Sequence, residues 1–347
     1  MAESIPAKSV RSGKWDILKF FLVFLVVLGH AADYYTAGSE TMRSLFIIIY
    51  TFHIPMFIFI SGLFAKGTVN GKRTDKMLGY LIMYAVLKLY PFCYRNLAGQ
   101  SAGFNLFIEN GVPWFMLALF WFNLITIIIR KIPMKIVLPI SILLACLAGY
   151  SDKLGDFLVL SRTVVYYPFF YVGYRIEQQK IENICNKKAL KYVSGVILII
   201  FAVFVFWAGD GVYWLRPLLT GRNPFSMLRE YARFGFIIRL IYYFVVSVIG
   251  LSLIAVAPGK THSGLSEKLG QRTLAVYGLH YIVFFFMFEK YNCIGIFENV
   301  FGQFSQWMII PVSIAVTLFF SLKFFNDALS FLMSLPTRLL SLCKKRT

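Results

Sequence analysis

The stretch Lys14-Trp15-Asp16-Ile17-Leu18-Lys19-Phe20-Phe21-Leu22-Val23-Phe24-Leu25-Val26-Val27-Leu28-Gly29-His30 sets Asp16, Lys19 and His30 inside an apolar run long enough to cross a membrane. Lys19 and His30 are eleven residues apart. At about 3.6 residues per turn that is about three turns, so the two side chains share a helix face. Asp16 lies one turn before Lys19 and Asp33 one turn after His30, on roughly the same side. Ionisable groups at membrane depth are costly to desolvate and normally face a bundle interior or a wet cavity. The stripe points to chemistry inside a membrane protein.

The rest of the chain agrees. Of 347 residues, 59% are hydrophobic and 18% aromatic, and only 15% are charged. Soluble domains carry about 25% charged residues, so this chain lacks the polar surface to cover itself in water. Apolar stretches of about 17–25 residues recur along it, each able to cross a hydrocarbon core of about 30 Å. The fold class expected is an all-α polytopic membrane protein with about ten spans, near 15–33, 44–66, 76–94, 113–130, 135–151, 161–177, 191–209, 234–257, 271–289 and 305–333. The last is long enough to tilt, to kink near Phe324-Phe325-Asn326-Asp327, or to continue as an interfacial helix.

The formal charge of +19 does not indicate nucleic acid, because the cations fall in short loops between spans rather than on one basic domain. Most lie in alternate loops, among them Lys66, Lys72, Arg73 and Lys76, then Arg130, Lys131 and Lys135, and later Arg175, Lys180, Lys187 and Lys188. That excess places both termini in the cytoplasm. The organisation read from it is a cytoplasmic segment at 1–14, one transmembrane domain at 15–333 and a basic cytoplasmic tail at 334–347. The first span does not read as a secretory leader, since Gly29-His30-Ala31 is a poor cleavage site. The five cysteines are scattered and show no metal-ligand spacing, so no metal is expected; Cys93 and Cys293 could meet on the outer side.

One outer segment breaks the charge rule. Residues 210–233 carry Arg216, Arg222, Arg229 and Arg233 with Trp214 and Tyr231. Such a segment either rests on anionic headgroups or forms a surface for an anionic or sugar-rich acceptor, using guanidinium forks and aromatic platforms.

Three of the four histidines, His30, His53 and His280, fall inside spans, whereas His262 sits in a cytoplasmic loop. A membrane histidine often serves only an interhelical hydrogen bond. His30 has the strongest claim to chemistry, because Lys19 shares its face and Asp33 is a carboxylate neighbour able to poise a general base. His53 precedes Pro55 and Gly62 in Phe52-His53-Ile54-Pro55-Met56-Phe57-Ile58-Phe59-Ile60-Ser61-Gly62, and reads either as a partner of the proline kink or as cavity lining. Beyond that span, Lys66, Lys72, Arg73 and Lys76 either set topology or clamp the phosphates of a nucleotide-bearing donor. Thr273, Tyr277 and His280 fall at i, i+4 and i+7 on one helix face.

These segments together resemble the acyltransferase-3 family of integral membrane O-acyltransferases, and more narrowly its fucose 4-O-acetylase-like branch. Asp16 to His30 is similar to the family's first-helix motif, a basic residue, ten others, then His. Phe52 to Gly62 is similar to its second helix, and Pro113-Trp114-Phe115-Met116-Leu117-Ala118-Leu119 to its Trp-Phe-Leu element. Pro168 to Tyr174 and Gly270 to His280 resemble later signatures. One departure is Lys19, where the wider family commonly has Arg; Lys keeps the charge and loses the fork.

The resemblance implies transfer of an acyl group, most often acetyl from acetyl-CoA as co-substrate, to a hydroxyl of a cell-surface glycan or lipid-linked sugar, by a multi-pass enzyme of a bacterial inner or plasma membrane. His30, Lys19, Asp33 and His280 would then be catalytic. Lys66, Lys72, Arg73, Lys76 and His53 would serve the donor, and Trp114, Arg216, Arg222 and Arg229 the acceptor. A transporter or flippase of a lipid-linked sugar is the alternative, since it too would need many spans, intramembrane charge and a basic outer loop. Paired halves with matching broken helices, common in transporters, are not visible.

Overall fold

The computed structural model describes residues 13–258 and 264–344. His262, most of the expected cytoplasmic segment at 1–14 and the end of the expected tail at 334–347 lie outside the described residues. The chain folds into helices: α1 (Gly13–Asp33), α2 (Glu40–Leu63), α3 (Lys66–Asn70), α4 (Thr74–Leu97), α5 (Trp114–Ile129), α6 (Met134–Ala148), α7 (Leu160–Arg175) and α8 (Gln178–Cys185). There follow α9 (Lys188–Ala208), α10 (Arg216–Leu219), α11 (Gly235–Val256), α12 (Leu265–Gly270), α13 (Thr273–Phe284), α14 (Cys293–Phe301), α15 (Ile309–Phe320) and α16 (Lys323–Lys344).

Among the described residues, six helical segments are long and apolar enough to cross a membrane: Gly13–Asp33, Glu40–Leu63, Thr74–Leu97, Lys188–Leu219, Phe225–Val256 and Cys293–Phe320. Helices α5 and α6 are shorter and apolar. At about 1.5 Å per residue the 21 residues of α1 reach about 31 Å, the thickness of a hydrocarbon core. The outer helices present apolar side chains outward. Tyr192, Val196, Ile199, Ile200 and Val203 of α9 and Phe244 of α11 are exposed, as lipid contact requires and water would penalise.

Helix α1 lies at the centre. Trp15, Leu22, Val23 and Val27 are wholly buried, and the helix packs on α2, α12, α13 and α15. Small residues let the backbones close in. A Cβ on Gly62 would strike the carbonyl of Phe170 on α7, and one on Gly173 would strike that of Phe59 on α2. This reciprocal pair fits small-residue packing between membrane helices, where dispersion replaces the hydrophobic drive. Helix α2 continues through Pro55.

The sequence-expected span at 305–333 is interrupted. Helix α15 stops at Phe320, where the Ser321 hydroxyl donates to Thr317 O at 2.7 Å and Arg272 donates to Ser321 O at 3.2 Å. Polar Lys323, Asn326 and Asp327 follow the break, so α16 is a separate helix that packs on α4 and runs unbroken past residue 333. Thr337 ties it down by donating to Asp75 at 2.7 Å. The expected span at 271–289 changes character within itself, with α13 passing into a π-helical turn over Phe285–Lys290. All five cysteines are free, Cys93 and Cys293 included.

Candidate active site

Two cavities lie along α1, α2 and α13. The smaller, about 290 Å³, is lined by Lys19 together with Phe57, Ser61, Phe64, Thr68 and Thr273. The larger, about 580 Å³, is lined by His30, Tyr50, His53, Trp114, Arg162 and Arg216 among others. Val26, Ile54 and Tyr277 line both. Each helix makes the same passage: Lys19, Val26, His30 on α1; Phe57, Ile54, Tyr50 on α2; Thr273, Tyr277, Tyr281 on α13. The junction is braced from α5. The Phe115 ring is 5.4 Å from that of Tyr277, and the Tyr277 hydroxyl donates to Val112 O.

In the smaller cavity the Lys19 ammonium is 2.6 Å from Asp16 Oδ1 and 5.7 Å from the centroid of the Phe64 ring. Asp16 also accepts from Gln271 at 3.4 Å. Beside the larger cavity, the His30 ring is 5.2 Å from His280, 6.3 Å from Tyr50 and 6.1 Å from Tyr281. His280 is fully buried, and its Nδ1 donates to Val276 O at 2.9 Å. That bond fixes the tautomer and leaves Nε2 as an acceptor, which has no hydrogen-bond partner among the described residues. The Nδ1 of His53 makes the equivalent bond to Ile49 O at 2.7 Å.

Ion pairs stiffen the walls of the larger cavity. Asp33 accepts from Arg216 at 2.8 Å, Glu109 from Lys88 at 2.6 Å and Glu289 from Arg95 at 2.8 Å, while Asp156 pairs with Arg222. Residues 98–113 cover one side. Tyr84 holds them by donating to Leu106 O at 2.6 Å, and a single bridge links Ile108 to Phe157.

The acyltransferase-domain model of the acyltransferase-3 family matches residues 13–325, from the start of α1 to the first turn of α16. The chain belongs to that family. It is also 28% identical over 217 residues to nodulation protein NolL of Sinorhizobium fredii (strain NBRC 101917 / NGR234), covering 56% of this chain and 57% of that protein. The chain thus aligns with little more than half the length of that relative. No solved structure matches.

Within the acyltransferase fold the sequence-expected residues fall in three groups. His30, Asp33, His53, Trp114, Arg216 and Arg222 line the larger cavity, with His280 packed beside His30. His53, grouped with the donor residues by sequence, lies on this side too. The Asp33 carboxylate is held by Arg216 and Thr36. Lys19 lines the smaller cavity. Arg229 is exposed and outside both, in a left-handed backbone conformation at φ 56°.

The basic cluster lies beside the smaller cavity rather than within it. Lys66 donates to Ile176 O at 2.8 Å, Arg73 pairs with Asp75 at 2.6 Å, and Lys72 and Lys76 are exposed. Thr68, between them on α3, reaches the lining.

Lys88, Glu109, Arg162 and Tyr50 were not singled out by sequence. For Lys88 a signal existed, a charge within an apolar span. Arg162 sits in the first turn of α7, where its charge reads as that of an ordinary span-end cation. Glu109 gains its place from contacts that no local pattern encodes.

Proposed function

We propose that this chain is a membrane O-acyltransferase that takes acetyl from acetyl-CoA at the cytoplasmic face and passes it to a hydroxyl of a cell-surface glycan or its precursor, with His30 as general base. The observation that supports this reading best is the pair of cavities meeting at Val26, Ile54 and Tyr277, with Lys19 in one and His30 in the other.

The smaller, mostly apolar cavity suits an extended thioester arm. The cations beside it, Lys72 and Lys76, suit donor phosphates outside it. The larger cavity, rich in aromatic rings and guanidinium groups, suits a sugar. In the transfer step His30 takes the proton of the acceptor hydroxyl while that oxygen attacks the thioester carbonyl. The carbon–sulfur bond breaks, and the proton passes from His30 to the departing thiolate. We assign His280 to positioning: its fixed Nε2 acceptor can hold an N–H of His30, leaving the other His30 nitrogen toward the acceptor. Asp33, bound to Arg216, shapes the wall of the site.

The test uses purified protein in detergent, radiolabelled acetyl-CoA and surface glycans from the source cell. Wild type is expected to label glycan and His30→Ala to leave it unlabelled. A wild type that labels no glycan, with unchanged glycan acetylation in a deletion strain, would overturn the reading. Loss of glycan export in that strain would favour transport instead.

A further inference from the structure

We propose that Arg162 forms an anion subsite in the larger cavity, so that the acceptor is a sugar carrying a negatively charged group, a carboxylate or a phosphate. This deepens the proposed acceptor side and rests on that reading.

Five cations line the cavity: Lys88, Arg95, Arg162, Arg216 and Arg222. Four of them have a carboxylate partner, namely Glu109, Glu289, Asp33 and Asp156. Among the described residues Arg162 is the lining cation without one. Two carboxylates, Glu109 and Asp156, lie near it and neither bridges to it. Glu109 gives Arg162 only its backbone oxygen, at 3.4 Å, and turns its carboxylate to Lys88. Asp156 pairs with Arg222 through Oδ2, and its buried Oδ1 has no hydrogen-bond partner among the described residues, so it makes no hydrogen bond to Arg162. The remaining contact is an aromatic face, the Trp114 ring, whose centroid lies 4.8 Å from the guanidinium carbon.

Burial makes this arrangement expensive. Arg162 is only 6% exposed, and an ionised group taken out of water without a counter-ion is strongly disfavoured. Arginine cannot escape by losing its proton. The first turn of α7 adds the positive end of a helix dipole. A ligand that brings one negative charge to the cavity removes the imbalance, and a guanidinium presents paired N–H groups to a carboxylate or phosphate. Trp114 and Tyr166, 5.9 Å apart and both in the lining, offer ring faces for the sugar beside that charge. Arg239 is a useful contrast. It is buried as deeply, stands over the Phe225 ring, and lines neither of the two cavities.

The test measures binding of three probes to the purified full chain in detergent: methyl glucuronoside, its carboxyl methyl ester, and methyl glucoside 6-phosphate. Wild type is expected to bind at least one anion about tenfold or more tightly than the neutral ester, as a charged, forked contact should. The preferred anion tells carboxylate from phosphate. Arg162→Gln should abolish the preference and Arg162→Lys should keep part of it. Equal binding of anion and ester, no binding of either anion, or a preference that survives Arg162→Gln would overturn the subsite. The acid-against-ester comparison uses wild type alone, so a variant that fails to fold leaves a decisive arm in place.

The two readings fail differently. Arg162-dependent anion binding without acetyl transfer sinks the enzymatic reading and keeps the subsite. Transfer to neutral glycans that Arg162→Gln leaves undiminished does the reverse.

Discussion

The two cavities share lining from α1, α2, α4, α5 and α13 and differ in their chemistry. The smaller is mostly apolar and carries one lining cation, Lys19, tied to Asp16. The larger has twice the volume and a wall of ion pairs, with a histidine pair at its edge. Continuous helices change from one chemistry to the other within about a turn, at Val26, Ile54 and Tyr277. Side-chain choice along a shared face, rather than a change of fold, separates the side we propose for the donor from the side we propose for the acceptor.

The sharpest way to break that division is to remove the base. His30→Ala is expected to lower acetyl transfer by about 10²- to 10⁴-fold, the range general-base catalysis contributes, while donor binding in the smaller cavity stays intact. A rate measurement beside an acetyl-CoA binding measurement separates the two. Equal losses in both would mean that the cavities are one site.

Helix α2 lines both cavities and packs backbone to backbone on α7. Gly173→Ala places a Cβ against the Phe59 carbonyl, which cannot swing aside as a side chain would. A cost of about 1–3 kcal/mol is expected from such overpacking, read as a lower midpoint of thermal unfolding in detergent. An unchanged midpoint would show that the helices are free to separate.

Lys19→Met should raise KM for acetyl-CoA about tenfold, the worth of one charge-assisted contact, and leave KM for the acceptor unchanged. The reverse pattern would move Lys19 to the other side of the division. Lys72→Gln with Lys76→Gln should have the smallest effect, about twofold or less in KM for acetyl-CoA and lost at high salt, because both are exposed.

Much of this was legible in the sequence, for a physical reason. The helix period ties Lys19 to His30, and Thr273 to Tyr277 and His280, without reference to any other segment. In the structure these residues follow the cavities in that order. The reciprocal close packing of Gly62 and Gly173 became visible only with the pairing of α2 with α7. The ion pairs of the larger cavity were not legible. Lys88 meets Glu109 across a loop, Arg216 meets Asp33 from a segment 183 residues away, and Arg162 stands out only once the neighbouring carboxylates have been seen to bridge to other cations. The break at Ser321 was foreshadowed by Asn326 and Asp327, but its position depends on Arg272 reaching over from the residue before α13.

The central claim is that donor and acceptor meet through the junction from opposite sides. It is tested by reconstituting wild type and Ile54→Trp in sealed vesicles, with labelled acetyl-CoA confined to the side of the Gly13 end of α1 and glycan to the other. Wild type should label the glycan across the bilayer. Ile54→Trp, with its indole filling the junction, should still bind acetyl-CoA and the glycan and transfer no label. Undiminished transfer by Ile54→Trp, or equal transfer with both substrates on one side, would contradict the account.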